Sequence, residues 1–269
     1  MCPEIARLDF DIRLFGPNLR SLSEAATEPF IPAQIREIGN IAVAFEDGVD
    51  SETQGRIESL LGTAHEKMSW LVGSPDNRLT VVLVTSRQGV YGLVARMKNE
   101  VFRIVLWRPE FSDAMNLWHF AHECTEIAVL TLGRRLDRWL VEGLAQLAAY
   151  HVTKSLYPQE VVSVCETYRE RGVAPVTEVF AWKTPPGQYL TQQNVDTQTL
   201  VDDLLRFIAV DHQKEKPLYG AVLDLMLRWT REEDDAVRKI LKSATESKGL
   251  NAVQIVESAY GTMESLSRA

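Results

Sequence analysis

His119-Phe120-Ala121-His122-Glu123-Cys124-Thr125-Glu126 is the stretch that decides how this chain is read. Residues three and four apart share one face of a helix, so His119, His122, Glu123 and Glu126 form a single polar stripe. Leu117, Trp118, Phe120, Ala121, Ile127, Ala128, Val129 and Leu130 surround it. A helix so nearly apolar all round belongs in an interior. Ionisable groups buried without partners cost roughly several kcal/mol each, and a divalent cation is the simplest single compensation. The next segment, Arg138-Trp139-Leu140-Val141-Glu142-Gly143-Leu144-Ala145, is again helical in pattern and apolar, with Glu142 inside it.

Working outward, Ser112 or Asp113 can cap the first helix, whose body runs through His122 to about Leu132, with Gly133 as its stop. Asp137 can cap the second, which continues to about Val152. Upstream, Ile5, Leu8, Phe10, Ile12 and Leu14 alternate with charged residues as a half-buried strand does. Residues 41–45, 79–85 and 101–107 read as further strands, with a turn-rich or short helical piece around Gly89-Val90-Tyr91-Gly92. Ser51-Glu52-Thr53-Gln54 has the form of a capping box, and Ile57, Leu60, Leu61, Ala64, Met68 and Leu71 follow at helical spacing, so a long helix crosses the early strands. Beyond Pro158 the pattern is helical, with a loop around residues 184–187 and later helices near 196–210, 217–229, 232–243 and 251–260. The charged run 231–235 reads as a helix start. Strands first and helices after give an α+β fold. The chain is expected to form one unit over residues 1–269, with a small mixed sheet to about 110, a helical part from 111, and the His122 helix at the junction.

At this point the sequence resembles a known family. His122-Glu123 with an acid at Glu126, joined to Trp139-Leu140-Val141-Glu142-Gly143-Leu144-Ala145, is similar to the gluzincin metallopeptidases. Those proteins pair a His-Glu-x-x-His helix with a third-ligand Glu on the next helix, often within Trp-Leu-x-Glu-Gly-Leu-Ala. The resemblance implies a zincin-like fold and a metal held by His122, Glu126 and Glu142. It further implies Glu123 as general base, zinc as the first expected ion, and a peptide or protein substrate. It extends loosely over residues 79–207: Phe102-Arg103-Ile104-Val105-Leu106-Trp107 falls where the family has a strand along the substrate cleft, and Pro175-Val176-Thr177-Glu178-Val179-Phe180 resembles the short apolar segment after the Glu helix. Tyr189, His212 and Tyr219 are the candidates for the family's oxyanion-stabilising donor.

Glu126 departs from the pattern, standing where the family has its second His. Two carboxylates and one imidazole cancel the charge of a divalent ion, which makes it a weaker Lewis acid than a His, His, Glu set does. Peptide hydrolysis is then slow, or the ion is a harder one such as manganese or iron(II). His119, one turn before His122, offers two alternatives: a hydrogen-bonded core or rim residue, or a second imidazole ligand with Glu126 orienting a ligand His. The functional readings are a hydrolase, a catalytically silent binding or scaffolding domain of the same fold, and a non-proteolytic iron or manganese enzyme.

Composition sets outer limits. A formal charge of −8 with no run of Lys or Arg argues against a nucleic-acid surface. Cys2, Cys124 and Cys165 show no CxxC spacing, which fits a reducing compartment. The early acidic residues do not suit a secretory signal, and no apolar run reaches the roughly 20 residues of a membrane span, so a cytoplasmic protein is expected. Cys124 reads as a small buried filler opposite the stripe, Trp118 and Trp139 as packing residues, and His65, His151 and His212 as surface or rim residues.

Overall fold

Runs of Val, Ile and Leu become the interior strands of the protein, and a computed structural model describes residues 11–15, 27–73, 80–88, 91–96, 103–130, 136–170, 172, 174–182, 212–247 and 249–262. The strands are β1 (Asp11–Phe15), β2 (Thr27–Pro29), β3 (Pro32–Ile38), β4 (Ile41–Glu46), β5 (Thr80–Val84), β6 (Tyr91–Arg96) and β7 (Arg103–Trp107). The helices are α1 (Ser51–Val72), α2 (Asp113–Leu130), α3 (Arg138–Leu156), α4 (Val161–Arg169), α5 (Val176–Ala181), α6 (His212–Thr230), α7 (Ala236–Glu246) and α8 (Ala252–Tyr260). The fold is α+β, a small N-terminal four-stranded mixed sheet followed by a mostly helical remainder.

β4 and β5 are parallel, in register Val43 to Val82, and β5 pairs in parallel with β7, Val82 to Val105. Nearly continuous burial along β4 and β5 matches their unbroken apolar sequences, as expected of parallel strands. β3 runs antiparallel to β4 and alternates in burial, giving the order β3-β4-β5-β7. A second sheet, β2-β1-β6, is antiparallel throughout. Tyr91 and Gly92, expected in a turn or short helix, therefore begin a strand. Of the run expected as a strand from Ile5 to Leu14, residues 11–14 lie in β1 and the rest fall outside the described residues.

The cap of α1 is Asp50, one residue before the expected Ser51. Its carboxylate accepts from the Thr53 backbone N–H at 2.8 Å and from the Thr53 hydroxyl at 2.7 Å, while the Gln54 side chain donates to the Val49 carbonyl at 2.8 Å. Those bonds, the Thr53 N–H foremost, hold the Asp50 carboxyl below its usual range. Asn251 and Gln254 form a reciprocal capping box on α8. Arg231 and Glu232 do not start a helix: both have φ near +54°, and the Glu232 N–H donates back to the Leu227 carbonyl, closing α6.

The chain forms two compact units. One comprises Met1–His65, Asn77–Asn116 and Gly187–Lys214, and the other Glu66–Asp76, Leu117–Pro186 and Glu215–Ala269. Among the described residues no helix is long and apolar enough to cross a membrane.

Candidate metal centre

Three helices supply the polar groups buried in the second unit. On α2 the Ser112 hydroxyl accepts from the Met115 N–H at 3.2 Å, so of the two candidates Ser112 is the cap. α3 follows with Asp137 at its N-cap position, although that side chain makes no cap hydrogen bond. Apolar residues of both helices are buried as their sequences imply. Trp118 stacks on Tyr168 with centroids 5.2 Å apart and donates to Gln146 at 2.9 Å; Trp139 packs parallel to Trp229 and edge-on to Phe180.

Glycine sets how closely α6 approaches. A Cβ on Gly143, next to Glu142, would meet Met226 Cγ at 2.9 Å, and one on Gly220, next to Tyr219, would meet the Tyr168 carbonyl oxygen at 2.6 Å. These two positions let α6 lie against α3 and the end of α4 with Tyr219 turned to the site.

His122, Glu126 and Glu142 each offer one ligand atom, all within 4.8 Å of one another. His122 Nε2 lies 3.5 Å from Glu126 Oε1 and 3.2 Å from Glu142 Oε2. Donors about 2.0 to 2.1 Å from a tetrahedral ion are about 3.3 Å apart, so these separations match ligands of one ion better than a charge-assisted hydrogen bond of about 2.8 Å. Glu142 Oε2 and His122 Nδ1 are buried and have no hydrogen-bond partner among the described residues. Burial and donor chemistry thus fit a cation: this group could hold a metal ion.

Charge leads to the same result. Arg138, buried in the first turn of α3, places Nε 3.4 Å from Glu142 Oε1 and Nη2 2.9 Å from Glu215 Oε2. Among the described residues the Arg138 guanidinium faces the Glu142 and Glu215 carboxylates, with Glu126 close to His122, and a divalent ion complements such a carboxylate-rich set. Without an ion the proton takes its place. Burial opposes charge on His122, but Glu126 and Glu142 outweigh it and push the imidazole up to about 10. Burial, with the Glu126 charge beside it, raises the Glu142 carboxyl, while His122 and Arg138 pull the other way. Burial, helped by Glu142, also raises the Tyr219 hydroxyl well above its ordinary value.

Of the other expected residues, Glu123 and His119 are both half-buried, and neither is part of the ligand group. Among the donor candidates, Tyr219 is at the site: its ring centroid is 6.5 Å from that of His122, and its hydroxyl oxygen accepts from Arg138 Nη2 at 3.4 Å. Tyr189 and the His212 side chain fall outside the described residues. Cys124 is half-buried instead of a buried filler. His151, expected at the surface or rim, is buried at 2% exposure because α3 is enclosed along most of its length. His65 is half-buried, its ring against Gly39.

Arg138, Glu215 and Trp182 escape the sequence reading. The Trp182 indole donates to Glu215 Oε1 at 3.2 Å, its ring lies 5.1 Å from the Arg138 guanidinium carbon, and its carbonyl accepts from the Trp139 N–H at 3.3 Å. One signal was available: a cation in the first turn of a helix opposes the helix dipole, and Arg138 stands one turn before Glu142. No protein-family model, no curated protein and no solved structure matches the chain, so its site is known from its own residues alone.

Proposed function

We propose that the protein is a metal-dependent hydrolase of gluzincin type, with a zincin-like fold and a peptide or protein substrate. The observation that carries this reading is the convergence of His122, Glu126 and Glu142, joined to the likeness of His122-Glu123 and of the Glu142 segment to that family. A divalent ion held by these residues, zinc first with manganese or iron(II) as harder alternatives, supplies Lewis acidity that acidifies water and polarises a carbonyl. Glu123, half-buried and next to His122, takes the proton of the attacking water and delivers it to the leaving amine. Of the three donor candidates, Tyr219 takes the donor role on its position near His122. Its raised pKa keeps the phenol protonated, so that this hydroxyl, close to His122, is able to donate to a developing oxyanion. Two carboxylate ligands make turnover slow.

Metal content and peptide hydrolysis of the wild type, set against Glu123→Gln, test this. About one equivalent of divalent ion in both proteins, with hydrolysis in the wild type only, is expected; equal hydrolysis in both would remove Glu123 from its role. A second reading rests on His122 being able to sit as an imidazolium between two carboxylates. In that case the domain is a catalytically silent binding module. Absence of bound ion under saturating zinc, manganese and iron(II), with partner binding intact in His122→Ala, would favour it.

A further inference from the structure

We propose that Arg138 is the positioning residue of this centre: its guanidinium holds one oxygen of Glu142, so that the other faces His122 and a bound ion. Its grip on Glu215 and Tyr219 fixes the start of α6 beside the site. The inference rests on the metal-centre reading above.

The two oxygens of Glu142 face different partners. Oε1 is 3.4 Å from Arg138 Nε, and Oε2 is 3.2 Å from His122 Nε2. A carboxylate divided in this way offers a single donor atom to an ion. Arg138 is itself over-determined. Its side chain is 4% exposed, and it cannot shed its charge, so its position in the first turn of α3 requires anions around it. Glu215 supplies one at 2.9 Å and is held in turn by the Trp182 indole at 3.2 Å. The Trp182 ring lies under the guanidinium and packs edge-on to Tyr219 at 5.1 Å. The planar fork thus joins three site residues that come from α3 and α6. A lysine ammonium, a single point of charge, does not span Glu142 and Glu215 together.

Groups that orient a metal ligand typically change affinity about 10- to 100-fold when removed. Zinc affinity by competition titration, the visible spectrum of the cobalt(II)-loaded protein, and the thermal midpoint are measured for the wild type, Arg138→Gln and Arg138→Lys. Arg138→Gln is expected to lose zinc affinity roughly 10- to 100-fold. Its cobalt absorption should weaken, because Oε1 is released to bind as well and raises the coordination number. Arg138→Lys should recover only part of both. Unchanged affinity and spectrum with a lowered thermal midpoint would make Arg138 a plain structural ion pair and overturn the inference while leaving the metal centre standing. A wild type that binds neither ion would overturn both. If Arg138→Gln does not fold, Glu215→Gln is read on the same three measurements; it keeps Arg138 but removes its anchor, and an unchanged spectrum there overturns the inference equally.

Discussion

Two histidines in the second unit are enclosed by the same kinds of apolar helix, yet they end in opposite states. His122 on α2 faces Glu126 and Glu142, and its imidazole is pushed up to about 10. His151 on α3 is more deeply buried, has no hydrogen bond to either ring nitrogen among the described residues, and is pushed down to about 4, burial being the main cause. Asp234 lies 3.4 Å from its Nδ1, but that carboxylate is 75% exposed and too well solvated to hold a proton there. Lys154 and Lys67 oppose the charge further, and Glu232, which favours it, acts least. Burial alone makes a histidine neutral, and converging buried carboxylates make it a cation or a ligand. The polar stripe around His122 is visible in the sequence, but nothing in the sequence around His151 shows that it is enclosed.

The sharpest way to break this comparison is to remove each ring in turn. His122→Ala should weaken zinc binding at least about 100-fold, roughly 2.7 kcal/mol, whereas His151→Leu should leave it within about 2-fold, by competition titration. Equal losses would mean that His122 is only another buried imidazole. Glu123→Gln should lower hydrolysis of a peptide library about 100-fold or more while metal content stays the same.

Packing around the site gives the next effect. Gly220→Ala should destabilise the protein by about 2 kcal/mol in urea, because the new Cβ meets the Tyr168 backbone, which cannot swing away. Gly55→Ala on α1, with nothing within 4 Å, should instead stabilise by roughly 0.5–1 kcal/mol.

An effect of similar size to that of Gly55→Ala belongs to His151. Its folded-state pKa lies below the unfolded value near 6.5, so the unfolded chain takes the proton first, and stability is lost as pH falls from about 6.5 towards 4. Between pH 7 and 5.5 the loss should be about 1 kcal/mol, and it should vanish in His151→Leu, followed by urea unfolding at each pH.

Much of this was legible in the chain. Unbroken apolar runs mark β4 and β5 because parallel strands bury both faces. The stripe on α2 and the carboxylate on α3 are visible because ionisable residues stand out inside apolar helical patterns. Other features were not. Tyr91-Gly92 reads as a turn, yet it pairs with β1, since a strand in an antiparallel sheet needs a partner more than it needs propensity. Pro217 marks the expected first turn of α6 by its missing N–H, but the helix begins at His212. That earlier turn carries Glu215, which Arg138 and Trp182 hold from other elements.

The sequence by itself determined which helices are buried and that His122, Glu126 and Glu142 needed partners, because helical periodicity and the cost of burying charge are local matters. Only the tertiary structure decided that these three meet, that Tyr219 and Arg138 stand beside them, and that His151 does not share their fate. Side chains from α2, α3 and α6 come within a few ångströms only when the helices pack, and glycines at 143 and 220 set how closely they do so.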